Sequence, residues 1–161
     1  MDVLFIRHAE AEPHGAKADE KRALTADGRR QAKAVLAALE AMELRPQALL
    51  SSRLVRAWET AEPMAERWKL KIEPADELAP PGDAVALVKR LTAMAAKGVK
   101  LVALFGHAPS MDDMLAAVLG CGRPVGSLQK GGMALVRLEV GKGEPELRWM
   151  LRRDQIDRIG R

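Results

Sequence analysis

Leu101-Val102-Ala103-Leu104-Phe105 is the strongest strand signal in the chain, and it runs directly into Gly106-His107. A continuous apolar run without polar alternation marks a strand covered on both faces. Val3-Leu4-Phe5-Ile6 has the same character and leads into Arg7-His8. Around these two runs, helical and strand signals alternate. Thr25 stands before a helix whose apolar face is Ala32, Val35, Leu36, Leu39 and Met42, with Gly28 in its first turn. After Pro46, Ala48-Leu49-Leu50 forms a second buried strand leading to Ser51-Ser52. Leu54, Val55, Trp58, Ala61, Met64, Ala65 and Trp68 form the next helix, which Pro63 is expected to bend or break. Leu70-Lys71-Ile72 reads as a short strand, and Pro80-Pro81-Gly82 as a loop before a helix with Val85, Leu87, Val88, Leu91 and Met94 on its apolar face. Pro109 opens a helix continued by Met111, Met114, Leu115 and Val118. Met133 to Val140 and Leu147 to Leu151 read as a late hairpin with a Gly-Lys-Gly turn.

This alternation predicts an α/β fold, a three-layer α/β/α sandwich with a mostly parallel central sheet and an antiparallel strand near the C-terminal half. With 161 residues and no repeat or linker, residues 1–161 are expected to form a single domain. Apolar residues make up 48% and charged residues 30%, the balance of a soluble protein with a real core. Cys121 is the only cysteine, which excludes an internal disulfide and any cysteine-rich metal site. The first apolar run is too short for a secretory leader, and no stretch approaches the ~18–20 residues of a membrane span. A cytoplasmic monomer is therefore expected. The net charge of +4 favours anionic partners in general, but aromatics are 3% and tyrosine is absent, so no base-stacking platform for nucleic acid exists. The C-terminal Arg148, Arg152, Arg153, Arg158 and Arg161, interrupted by Asp154 and Asp157, read as a solvated tail.

In open α/β sheets the ligand lies beyond the carboxyl ends of the strands. That rule points to Arg7-His8, Ser51-Ser52, Asp76-Glu77 and Gly106-His107. A lone strand-end histidine is as easily a satisfied structural residue, and Arg56 alone could be a surface helix arginine. His8 and His107 at equivalent strand ends, with Arg7 beside one and Arg56 near a helix start, instead suit an anion. A histidine can attack an electrophile through one ring nitrogen when the other is held by a hydrogen bond. Arginines and a helix N-terminus neutralise and orient a phosphoryl group. Arg53 faces another side of its helix, and His14 lies in a polar loop where exposure is the ordinary outcome.

Arg7-His8-Ala9-Glu10-Ala11, Leu24-Thr25-Ala26-Asp27-Gly28, Ser52 to Ala61 and Gly106-His107-Ala108-Pro109-Ser110 resemble, in order, the motifs of the histidine phosphatase superfamily, the phosphoglycerate mutase-like group. The short chain and Leu78-Ala79-Pro80-Pro81-Gly82-Asp83 look most like its small SixA-type phosphohistidine phosphatase branch. The resemblance implies that His8 is the nucleophile, that Arg7 and Arg56 bind phosphate, and that a charged His107 steadies the transition state. It also implies a substrate-binding role for Arg22 and for Ala108, no metal and no cofactor. Three positions depart from the pattern. Ala9 replaces a glycine, though its carbonyl can still accept from the His8 ring; Arg53 replaces the usual proline after Ser52; and Ala108 replaces an asparagine.

The implied activity is metal-independent phosphate hydrolysis through a phosphohistidine. The partner is a phosphorylated protein, such as a phosphohistidine domain, or a small phosphorylated metabolite. A phosphoprotein-binding module without turnover is the non-enzymatic alternative. Alkyl phosphates need an acid to protonate the leaving alkoxide. The segment after the Arg56 helix offers Asp76, Glu77 and Asp83 for this, each equally at home as a solvated loop carboxylate.

Overall fold

The computed structural model describes all residues except Ala16, Val140 and Lys142, so the end of the Met133–Val140 run and the centre of the Gly-Lys-Gly turn lie outside the described residues. Six strands form one sheet in the order β3-β2-β4-β1-β5-β6. They are β1 (Asp2–Arg7), β2 (Ala48–Ser51), β3 (Ile72–Pro74), β4 (Leu101–Gly106), β5 (Met133–Arg137) and β6 (Glu146–Leu151). β1, β2, β3 and β4 are parallel, while β5 runs antiparallel to both β1 and β6. The helices are α1 (Ala26–Ala41), α2 (Val55–Trp68), α3 (Ala84–Ala96), α4 (Ser110–Val118) and α5 (Arg153–Ile159). The predicted layered fold, with one reversed strand late in the chain, is the one observed.

Alternation along β1 decides which helices cover which face. Val3 and Phe5 pack with Leu87 and Leu91 of α3 and with Met111, Met114 and Leu115 of α4. Leu4 and Ile6 pack with Val35 and Leu39 of α1, Ala57 and Met64 of α2, and Ile156 of α5. Successive strand side chains point to opposite faces, so an uninterrupted apolar run is what a doubly covered strand requires. Thr25 caps α1 by accepting from the Gly28 N–H at 3.0 Å. Gly28 lies so close to the Glu10 carbonyl that a Cβ there would sit 1.9 Å from its oxygen, which is why α1 starts with a bare backbone.

Four expectations change. α2 runs through Pro63 without a break, because one missing backbone donor costs less than the burial of Ala57, Ala61, Met64 and Trp68 along the helix. The strand expected at Leu70-Lys71-Ile72 begins at Ile72 instead, since Lys69 closes α2 in a left-handed conformation and Leu70 packs on the core. Val85 is 81% exposed, so the apolar face of α3 is carried by Leu87 and Leu91. The arginine-rich C-terminus is no solvated tail. It forms α5, which buries Ile156 against the α1 side of the sheet and joins Arg153 to Asp27 at 3.0 Å. No described helix is long and apolar enough to cross a membrane.

Candidate active site

Three parallel strands end together, and their ends supply the site. His8 follows β1 and donates its backbone N–H to Gly106 at 3.0 Å, and Ser52 follows β2 and donates to Phe105 at 3.1 Å. His107 follows β4, so the two histidine rings lie side by side with centroids 5.1 Å apart. α2 begins just after Ser52 and delivers Arg56 to the same place. Arg7, His8, Arg22, Arg56, His107 and Ala108 all line one cleft of about 260 Å³. The fourth predicted strand end does not join them. Asp76 pairs with Arg53 at 2.7 Å, Glu77 with Arg90 at 3.0 Å, and Asp83 caps α3 through the Ala86 N–H, so none of these three acids lines the cleft.

A hydrogen bond to a carbonyl assigns the tautomer of His8. His8 Nδ1–H donates to the Ala9 carbonyl at 2.7 Å, leaving the lone pair on Nε2. The Ala9 peptide is itself held, its N–H donating to Thr60 Oγ1 at 3.1 Å, while the Thr60 hydroxyl donates to the Arg56 carbonyl at 2.6 Å. Ala9 therefore does the work of the family's glycine, which is a backbone task. Ser52 Oγ accepts from the Leu54 N–H at 3.3 Å and lies 2.6 Å from His107 Nε2. Leu54 takes only one of the two hydroxyl lone pairs, so Ser52 can donate to a neutral Nε2 and can accept from Nε2–H when the ring is charged.

Burial is the main reason both imidazoles are hard to protonate. It pushes His8 down to about 4, helped by Arg56, Arg7 and Lys130 and opposed by the Ala9 bond. It pushes His107 down to about 3, helped by His8 and Arg56. Both rings are thus neutral in the free site at pH 7. The charged His107 that the family resemblance implies requires an anion beside it to supply the countercharge.

The arginines are held from behind. Arg7 donates through Nη1 to the Leu128 carbonyl at 2.7 Å. Arg56 donates to the Asp19 carbonyl at 2.7 Å and to Asp19 Oδ2 at 3.0 Å, and Arg22 donates to Asp19 Oδ1 and to the Glu12 carbonyl. Among the described residues, three buried side-chain nitrogens have no partner: Arg7 Nε, Arg56 Nε and His107 Nδ1. A buried unsatisfied polar atom costs about 1–3 kcal/mol. Three of them on residues lining one cleft form a site suited to an acceptor-rich anion. No group of three or more His, Cys, Asp or Glu among the described residues has the arrangement to hold a metal ion.

A sequence model of the histidine phosphatase superfamily (branch 1) matches residues 3–79. A phosphohistidine phosphatase SixA homolog from Haemophilus influenzae is 30% identical over 136 residues, which span 78% of this chain and 81% of that protein. The chain belongs to the histidine phosphatase superfamily. Within the superfamily it is of the SixA type, and it is a phosphatase. The structure of the protein histidine phosphatase SixA complexed with tungstate matches it with a TM-score of 0.87 at 25% identity, covering 96% of this chain and 98% of the other. A phosphoserine phosphatase mutant from Entamoeba histolytica in complex with phosphoserine matches with a TM-score of 0.72 at 15% identity over 92% and 95% of the two chains, a likeness of fold.

In this histidine phosphatase, sequence reading missed three cleft residues, Glu12, Asp19 and Lys130, and pointed to Ser52 without giving its hydroxyl a role at His107. Asp19 stands three residues before Arg22, a spacing that pairs opposite charges on one turn. Lys130 had a signal as well. Because β5 is reversed, the segment before it, not after it, lies at the carboxyl ends of the parallel strands.

Proposed function

We propose that this phosphatase removes the phosphoryl group of a phosphohistidine carried on a protein, passing it through His8 Nε2. The observation that carries the mechanism is the 2.7 Å bond from His8 Nδ1–H to the Ala9 carbonyl, which leaves Nε2 as the nucleophilic nitrogen. Nε2 attacks phosphorus in line as the bond from phosphorus to the departing nitrogen breaks. The electron pair goes to the leaving imidazole, which departs as a neutral ring if its other nitrogen carries a proton. Water then attacks the phosphorus on His8. The proton that Ala9 holds on Nδ1 lets His8 leave neutral in its turn. Arg7, Arg56 and His107 stabilise the charge on the equatorial oxygens in both steps. Bound dianion favours the protonated form of His107, so the same ring serves as a stronger donor once substrate is present. Arg22 acts through Asp19, and the Ala108 backbone shapes the cleft wall.

The substrate class rests on the carboxylates. Glu12 and Asp19 are the two that line the cleft, and neither is suited to give up a proton near neutrality. Lys17 and the Ala23 N–H hold the Glu12 carboxyl below its usual range. Partial burial would raise Asp19, but Arg56 and Arg22 outweigh it and hold it low. An alkoxide is a far stronger base than imidazole and leaves poorly without a proton donor. Imidazole, with a pKa near ~6.5, does not need one of comparable strength. The cleft mouth is also open, with the His14 side chain 80% exposed, as a phosphohistidine presented on a protein surface requires.

The test is a series of rates on a phosphohistidine protein, aryl phosphates of graded leaving-group pKa, and alkyl phosphates, together with trapping of radiolabelled phosphate on His8. The expected result is a steep fall in rate with leaving-group pKa and label lost in His8→Ala. A flat dependence abolished by Asp19→Asn would instead make the protein a phosphomonoesterase of small metabolites.

A further inference from the structure

The loop before β5 closes the cleft on the side of the nucleophile, and several contacts fix it there. Asp112, buried in the first turn of α4, accepts from the Leu128 N–H and the Ser127 hydroxyl, each at 2.9 Å. The Leu128 carbonyl receives Arg7 Nη1. Three residues on, the Gly131 N–H reaches both the Arg7 and His8 carbonyls at 3.2 Å, and the Arg7 N–H donates to the Gly132 carbonyl at 3.2 Å. Gly131 has φ +69 and a would-be Cβ only 3.3 Å from Gln31 Oε1, so glycine lets the chain turn left-handed while lying against α1. The backbone on both sides of Lys130 is therefore tied to the strand that carries His8.

Lys130 lines the same cleft as Arg7, His8, Arg56 and His107. Its charge is also free of the carboxylate that holds Arg22 and Arg56. Arg22 and Arg56 are neutralised by Asp19, whereas among the described residues no carboxylate forms a salt bridge with Lys130 or Arg7. An ammonium on a flexible stem is a compact point charge suited to phosphate oxygens.

We propose that Lys130 contacts a non-bridging oxygen of the transferring phosphoryl group, adding a catalytic cation to Arg7, Arg56 and His107. This rests on the phosphoryl-transfer reading above and deepens it. It makes Lys130 a contact to the group common to every substrate, rather than to the leaving protein or metabolite. Lys130 and His8 line the same cleft, and the ammonium is near enough to count among the charges that disfavour protonation of the His8 ring. There it offsets the charge that accumulates as nucleophile and phosphoryl oxygens approach.

The experiment compares Lys130→Met and Lys130→Arg with Lys97→Met, a matched loss of charge at the far end of α3. Competitive inhibition by inorganic phosphate and by orthovanadate reports on the phosphoryl subsite without any leaving group. Lys130→Met should weaken both inhibitors about tenfold and lower kcat/KM about tenfold or more, the order expected for one charged donor at an exposed position. Lys130→Arg should recover most of both, and Lys97→Met should change neither. The acid limb of kcat/KM adds a readout that a structural role would not move. His8 faces Arg7 from β1, Arg56 from α2, His107 from the end of β4 and Lys130 from this loop, so loss of the ammonium should move that limb to higher pH. Unchanged inhibition constants with a fall in kcat/KM only for protein substrates would assign Lys130 to the leaving partner and overturn the proposal. Equal effects in Lys97→Met would reduce it to general charge and overturn it as well. Phosphate and vanadate binding need no covalent intermediate. Failure to label His8 would therefore count against the phosphoryl-transfer reading while leaving Lys130 tested.

Discussion

Acid should unfold this protein through its own active site. His8 and His107 have folded-state pKa values of about 4 and about 3, against about 6.5 in an unfolded chain. As the pH falls through 6.5, the unfolded chain binds two protons that the folded chain refuses. Stability is therefore complete above about pH 7 and is lost progressively below 6.5, down to the folded values. At about pH 4.5 each histidine penalises the folded state by about 2–3 kcal/mol, or about 5 kcal/mol for the pair. That is comparable to the whole stability of many domains. Urea unfolding near pH 7 and near pH 4.5 should show it, compared between the native protein and the double variant His8→Asn, His107→Gln. Asp19, Glu12 and Asp27, whose carboxyls are held low, also lose stability in acid, but they do so in both proteins and cancel. The native protein should lose about 5 kcal/mol more than the variant over this range. An equal loss in the two would mean that the rings protonate freely when folded, and the account of a desolvated, neutral histidine pair would be wrong.

Ser52→Ala should leave the fold intact but lower kcat/KM about tenfold, since it strips the partner from His107 Nε2 and loosens the ring; steady-state kinetics with an unchanged melting temperature would check this. Gly28→Ala should destabilise the protein by about 2–3 kcal/mol, because its Cβ must push α1 away from the Glu10 carbonyl, and thermal melts should fall by about 6–9 °C. EDTA should leave turnover unchanged, while vanadate and tungstate should inhibit competitively; loss of activity on chelation that a divalent ion restores would refute a reaction run by the chain's own cations. Asp112→Asn should raise KM more than it lowers kcat, by weakening the loop that holds Arg7, and a protein with native kinetics would show that Leu128 stays in place without the carboxylate.

The local sequence determined the layers, the covered strands and the clustering of His8, His107, Arg7 and Arg56. The reason is physical: a doubly buried strand must be apolar throughout, and its first polar residues must emerge where it ends. Val3 to Ile6 and Leu101 to Phe105 obey this, so both histidines could be placed before any contact was known. Local pattern also offered three acids that the fold places outside the cleft. Asp76, Glu77 and Asp83 follow a strand in the chain, yet Arg53, Arg90 and the Ala86 N–H claim them, because ion pairs and caps form with whatever folding brings near. The same holds for the C-terminus, whose mixed charges conceal a single buried Ile156 that only the α1 surface could turn into a docked helix. Asp19 and Lys130 became part of the site through long-range geometry. The first is fixed by Arg56 from α2, 37 residues away, and the second arrives because β5 runs against the sheet. Periodicity encodes which side of an element is buried, but the partner that meets a charge is set by how distant elements pack, and only the tertiary structure holds that information.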